Sequence, residues 1–296
     1  WITKFYIMKK LILTMVFVFA TSATLMNATS TNDEVSPIFK ETIEKAKTSD
    51  VIIVCLGELP STEIPGNIED LTLPKVQQEL VRELSKLNKP IVFTLTFNRP
   101  RIINEIESKA DAILHCYLPG DFGGEALAKI LFGETNPSGK LPFTYPRFTG
   151  SFVPYDHKYT EEFDINFGKK AFNPQWEFGF GLSYSSFEYK NASIDKLEYA
   201  KSDTIKFTVD VVNVSSIMGK EVVQVYISDK VASITPSVKR LRGFKKVEIK
   251  ANSSKKVEIR IPVSELAFVD SDNKWIIESG SFHLVVGNFK TDFFVK

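Results

Sequence analysis

The sequence predicts an α/β unit built on a parallel sheet, followed by an all-β sandwich. Three observations carry that reading. Between residues 36 and 150, amphipathic helical stretches alternate with short continuous apolar runs. Between 133 and 182 this periodicity fails, and Gly, Pro, Asn and aromatic residues take over. From about 183 onward, short β-rich segments follow one another between turn signals.

The first unit is read element by element. Ile38 to Lys47 is amphipathic, Val51 to Leu56 is an unbroken apolar strand, and Pro74 to Leu87 is helical. The cycle repeats with a strand from Pro90 to Thr96, a helix from Arg101 to Ser108, a strand from Ala112 to Tyr117 and a helix from Gly124 to Phe132. Unbroken apolar strands are the mark of a sheet covered on both faces, and each parallel connection is expected to be right-handed. Residues 151–182 read as an ordered connection, because their aromatic content can bury enough surface to offset the entropy of ordering the chain. Strands are expected at 204–212, 220–228, 244–249, 255–261 and 281–286, a pattern of immunoglobulin or fibronectin type III kind.

The start of the chain reads as an export signal. Met8-Lys9-Lys10 precedes the apolar run 11–20, and Thr21-Ser22-Ala23 supplies small residues for cleavage. The run is too short to cross a bilayer core of ~30 Å as a helix. Residues 1–7 precede the Met and read as upstream or fragment residue. The division expected is therefore a signal-like segment 1–28, an α/β unit 35–150, a connection 151–182 and a sandwich 183–296. Because the signal-like segment runs almost directly into the helix before Val51, the α/β unit reads as truncated at its start. The destination is extracytoplasmic, secreted or periplasmic, with no membrane contact after cleavage.

Composition narrows the partners. A formal net charge of +1 gives no electrostatic reason to expect nucleic acid or an anionic membrane, so a neutral substrate fits better. Cys55 and Cys116 lie inside apolar runs and read as small buried hydrophobes. The histidines at 115, 157 and 283 lie far apart with no ligand spacing, so no metal is implied, and nothing calls for a cofactor. Gly120, Gly123 and Gly124 form a strand-to-helix turn, but no Lys-Ser/Thr pair follows, and tight helix packing accounts for them. Asn191, Asn213 and Asn252 each begin a glycosylation sequon.

In open parallel sheets, ligands gather beyond the carboxyl ends of the strands, which directs attention to the loop after Leu56. It carries two glutamates, Glu58 and Glu63, in a segment stiffened by Pro60 and Pro65. The stretch Asp50-Val-Ile-Ile-Val-Cys-Leu-Gly-Glu58, then Thr62-Glu63-Ile-Pro-Gly66, then Asp70-Leu71 and Leu73-Pro74, resembles the C-terminal region of family 3 glycoside hydrolases, the β-glucosidase and β-xylosidase superfamily. So do Arg99-Pro100, Tyr117-Leu-Pro-Gly120 with Gly123-Gly124, Asn136-Pro-Ser-Gly-Lys-Leu-Pro142, and Phe178-Gly-Phe-Gly-Leu-Ser-Tyr184. The resemblance continues through Val222-Val-Gln224, Gly243-Phe244 and Trp275 to Gly287, and covers roughly 36–296.

The resemblance implies retaining hydrolysis of a β-linked glucoside or oligosaccharide. An aspartate on a separate barrel domain attacks the anomeric carbon, and a glutamate from the α/β sandwich domain protonates the leaving oxygen. Glu63 matches that general acid/base. Glu58 sits at the strand end, where it packs or hydrogen-bonds near the sugar. No Ser-Asp-Trp nucleophile motif or Lys-His-Phe substrate motif occurs in the chain, so activity would need a barrel domain as partner. The alternative is a non-catalytic exported module that binds a glycan or a protein.

Overall fold

The computed structural model describes residues 15–19, 37–58, 61, 66–162, 164–166 and 169–296. The chain divides into two compact units. One gathers residues up to 135 together with 146–151; the other gathers 136–145 together with 152–296.

In the first unit four strands form a parallel sheet in the order β1-β2-β3-β4: β1 (Met15–Phe19), β2 (Val51–Gly57), β3 (Ile91–Thr96) and β4 (Ala112–His115). The helices are α1 (Pro37–Lys47), α2 (Lys75–Ser85) and α3 (Gly123–Leu131). β2 and β3 are buried almost throughout, as their continuous apolar sequences require. α2 is amphipathic and buries Leu80, Val81 and Leu84, while its Arg82 and Lys86 stay on the wet side.

Two expectations are corrected here. The sheet does not begin at Val51: Met15–Phe19, inside the run read as an export signal, pairs in parallel with β2, Met15 opposite Val51 and Phe19 opposite Cys55. A short apolar run rich in β-formers suits a leader core and a sheet strand equally. The remainder of the signal-like segment, residues 1–14 and 20–28, lies outside the described residues. The helix expected over Arg101–Ser108 is also replaced. Ile102 N–H donates to Leu71 O at 2.9 Å and Leu73 N–H to Ile102 O at 3.3 Å, giving a parallel bridge that is followed by a single 3₁₀ turn, Glu107–Lys109. Pro100 disfavours helical backbone at the residue before it, and Ile102, Ile103 and Ile106 are buried without a full amphipathic turn to organise them.

The second unit opens with a small hairpin, β5 (Asp164–Asn166) with β6 (Lys169–Lys170). The sandwich strands follow: β7 (Phe187–Ile194), β8 (Glu198–Tyr199), β9 (Thr204–Asn213), β10 (Gly219–Asp229), β11 (Arg240–Ile249) and β12 (Ser253–Pro262). The short β13 (Phe268–Val269) and β14 (Trp275–Ile276) pair with each other, and β15 (Gly280–Val286) and β16 (Phe289–Val295) end the chain. One sheet has the order β11-β10-β15-β16-β8 and the other β12-β9-β7. Period-2 alternation fills the core: Ile205, Phe207, Val209 and Val211 from β9 are fully buried, as are Val223 and Val225 from β10 and Leu284 and Val286 from β15.

The Gly- and aromatic-rich connection does not stand apart from this unit. Residues 136–145 run beside 175–185 and are bonded to them: Leu141 N–H to Phe180 O and Gly179 N–H to Leu141 O, both at 2.8 Å, and Tyr145 N–H to Trp176 O at 2.8 Å. Asn136 is the knot. Its Oδ1 accepts from Ser183 Oγ at 2.8 Å and from the Tyr184 N–H at 2.9 Å, while its Nδ2 donates to Ser185 Oγ at 2.8 Å and Met218 O at 2.9 Å. Tyr145 meets Trp176 edge-on at 5.0 Å and Tyr155 stacks on Phe178 at 4.3 Å, so the aromatics serve as packing. Among the sequons, Asn213 is wholly buried, with Nδ2 donating to Ile217 O at 2.8 Å and Ile249 O at 3.2 Å, which closes it to an attached sugar.

Candidate functional site

β2 and β3 lie side by side and end together, so the residues following each meet at one mouth. Glu58 follows β2, and Asn98, Arg99 and Arg101 follow β3. The Glu58 carboxylate accepts from Arg101 Nε at 2.8 Å and Arg101 Nη2 at 2.5 Å through one oxygen. Through the other it accepts from the Asn98 N–H at 2.8 Å and the Arg99 N–H at 3.4 Å. The side chains of Glu58 and Arg101 are only 10% and 12% exposed. A carboxylate that deep needs this many charge-assisted partners, since removing any one leaves charge buried without compensation.

The same three residues reach across to both ends of the loop. Asn98 Nδ2 donates to Ser61 O at 3.0 Å and to Ser61 Oγ at 2.9 Å. Arg99 Nη1 donates to Gly66 O, and Arg101 Nη1 donates to Asp70 O at 2.9 Å. Gly66 is buried, and a Cβ there would come within 3.0 Å of Ser61 Oγ and 3.2 Å of Arg99 Nη2, so a larger residue would push the anchor apart. At the base, Gln77 from α2 bonds both ways to Gly57, Nε2 to its carbonyl at 2.8 Å and its N–H to Oε1 at 3.2 Å. Glu58 is thus spent on holding the loop. Glu63 lies outside the described residues.

A second group lines the carboxyl end of β4. His115 packs at a tilt against Tyr117, ring centroids 4.2 Å apart, and Tyr117's φ of +54° is rare for a bulky residue; His115 also meets Phe97 edge-on at 6.2 Å. Burial pushes the His115 imidazole down to about 4, so it is neutral at ordinary pH. Cys55 and Cys116 are both free thiols and half-buried; burial, and then the neighbouring Cys55, push the Cys116 thiol up to about 11, which leaves it protonated and unreactive. Of the three turn glycines only Gly123 answers to packing, since a Cβ there would fall 2.4 Å from Pro119 Cβ; Gly120 instead sits at φ +66°, and Gly124 faces open space. Among the described residues no cluster of His, Cys, Asp or Glu could hold a metal.

Sequence reading singled out Glu58 and Glu63 but missed Arg101 and Asn98. The signal for Arg101 was present: two arginines flanking a proline directly beyond a strand, opposite a loop bearing glutamates. It was hidden by assigning Arg101 to a helix.

The chain matches the family model described as glycosyl hydrolase family 3 C-terminal domain over residues 12–184, and a fibronectin type III-like domain over 221–290. It is 39% identical over 260 residues to a lysosomal beta glucosidase of Dictyostelium discoideum, covering 84% of this chain and 31% of that one. It is 31% identical to a periplasmic beta-glucosidase of Salmonella typhimurium, covering 83% of this chain and 34% of that one. A crystal structure of the Listeria innocua beta-glucosidase in complex with glucose superposes with a TM-score of 0.83 at 31% identity, over 88% of this chain and 39% of that one. This chain therefore spans about a third of the curated relatives' length. With a family model covering most of the chain, the chain belongs to glycosyl hydrolase family 3, as its C-terminal domain followed by a fibronectin type III-like domain.

Proposed function

We propose that this chain is the acid/base-bearing part of a retaining β-glucosidase, with Glu63 as general acid/base and Glu58 as a positioning residue. The observation that carries it is the anchor: Ser61 and Gly66 are both tied to the residues that follow β3, through Asn98 and Arg99. Glu63 is two peptide units from Ser61, so covalent geometry keeps it within about 7 Å of an anchored backbone. A loop tied at both ends can present a carboxyl group to a substrate at low entropic cost.

In the proposed reaction, an aspartate carboxylate on a barrel domain forms a bond to the anomeric carbon while the glycosidic C–O bond breaks and Glu63 gives its proton to the leaving oxygen. Water then attacks the glycosyl ester, and Glu63 takes the water's proton as the aspartate leaves. β-Linked glucosides and oligosaccharides are the substrates proposed, in keeping with relatives crystallised with glucose and with laminaribiose. The chain's own share of the relatives' length favours inactivity in isolation. We infer an extracytoplasmic location from the lysosomal and periplasmic relatives; N-terminal sequencing of the exported protein will show whether Met15–Phe19 is kept as β1 or removed.

The test is hydrolysis of an aryl β-glucoside and of cellobiose, by the chain alone and supplemented with a barrel domain from a relative. Alone, it should hydrolyse neither faster than its Glu63→Gln variant. With the barrel, Glu63→Gln should lose most of the cellobiose rate, whereas formation of the intermediate from an activated aryl glucoside, which needs little acid, should be spared. Turnover by the isolated chain with retained configuration, abolished in Glu63→Gln, would show that it contains a nucleophile. A supplemented enzyme indifferent to Glu63→Gln would return the chain to the binding-module reading.

A further inference from the structure

The fibronectin type III-like unit carries a cleft of about 280 Å³ whose wall is formed by the β10–β11 turn, the segment around Asp156 and Lys158, and the β13–β14 hairpin. That is near the lower end of small-molecule sites, about 300 Å³. Its floor is a β-bulge. Val225 faces Gly243 and Tyr226 faces Leu241, so Arg242 is the extra residue left out of the ladder between β10 and β11. Bulges re-aim side chains, and this one puts a guanidinium into the cleft lining.

The Arg242 guanidinium lies near Tyr155, Glu265 and Asp156, whose charges favour its protonated form. Its Nε is buried without a hydrogen bond, and burial, then the neighbouring Arg240 charge, hold its pKa below the usual arginine value. Arg240 is engaged by Asp156 at 3.5 Å, and Lys158 Nζ reaches only a hydroxyl, Ser237 Oγ, at 3.2 Å. Asp229 also lines the cleft; it accepts the Val231 N–H at 3.1 Å, and burial raises its pKa. At the rim, Trp275 is 72% exposed, an indole with an open face. A desolvated guanidinium, a cation held by a hydroxyl, and an exposed indole fit a ligand with a carboxylate and an apolar ring face.

We propose that this cleft binds the carboxylate of a uronate-bearing oligosaccharide, with Arg242 and Lys158 on the carboxylate and Trp275 against the sugar ring. This goes beyond the hydrolytic reading and does not depend on it, since the readout is binding.

Titration of the full chain with trigalacturonic acid, cellotriose and acetate, followed by calorimetry and indole fluorescence, tests it. Trigalacturonic acid should bind saturably and more tightly than the other two. Arg242→Gln should weaken it at least roughly tenfold, and Trp275→Ala roughly fivefold. Should Arg242→Gln fail to fold, Lys158→Gln and the exposed Trp275→Ala serve in its place. Cellotriose binding as tightly would remove the carboxylate from the proposal, acetate binding as tightly would reduce the site to a simple anion site, and unchanged affinity in the variants would overturn it.

Discussion

The two units spend most of their buried interior differently. At the strand ends of the α/β unit, Glu58, Asn98, Arg99 and Arg101 form one nearly buried network that fixes a loop. The sandwich instead fills its interior with alternating apolar residues from both sheets. Most of its ion pairs, such as Lys206 with Glu258 and Lys230 with Asp292, stay at the surface. The polar network costs desolvation and ties Ser61 and Gly66 to the residues after β3, whereas the apolar core returns stability and specifies no chemistry. The difference teaches where each kind of sequence change should act.

The largest effects should be selective. Phe207→Ala opens a cavity at a fully buried position and should cost the sandwich about 3–5 kcal/mol. Glu58→Ala removes the carboxylate that pairs with the nearly buried Arg101 guanidinium and should cost the α/β unit about 3 kcal/mol. Hydrogen exchange resolved by peptide should show each loss in its own unit, and a loss shared evenly between them would end the comparison. Next in size is Gly179→Ala. Its φ is +82°, and a Cβ would fall 2.2 Å from Gln224 Oε1, so a cost of about 1–3 kcal/mol is expected, concentrated in the 136–145 and 175–185 straps.

Limited proteolysis sharpens the boundary. We expect the sandwich to outlast the α/β unit, and its surviving core to retain residues 136–145 through the Asn136 knot, whether or not the chain is nicked between 146 and 151. Mass analysis finding a core that starts at 183 would show the straps to be dispensable.

The pH response is a separate effect. His115 is held near 4 in the folded state by burial, against an unfolded value of 6.5. The unfolded chain therefore takes up a proton first, so the α/β unit should lose stability as pH falls from about 6.5 to about 4. Denaturant midpoints across that range should be flatter in His115→Phe, with the sandwich transition unmoved.

Much of the architecture was legible in sequence. Unbroken apolar runs marked β2 and β3, and alternation marked β9, β10, β12 and β15, because the side-chain periods of strands exposed to two or one buried faces differ. β16 went unread although its sequence, Phe-Lys-Thr-Asp-Phe-Phe-Val, alternates in burial, since its aromatics blur the pattern. The loop that follows β2 was singled out in the sequence through its glutamates and prolines.

The sequence by itself determined the two fold classes, their order and the strand-end loop, all of which follow from local periodicity and turn chemistry. Only the tertiary structure decided that Met15–Phe19 is a sheet strand, that Arg101 belongs to an ion pair with Glu58, and that residues 136–145 side with the sandwich. Each depends on partners 36 to 82 positions apart, as in Met15 with Val51, Arg101 with Glu58 and Asn136 with Met218. A pattern read along the chain carries no information about which distant residue completes a hydrogen bond, and the cost of leaving a buried polar group unpaired makes that completion decisive.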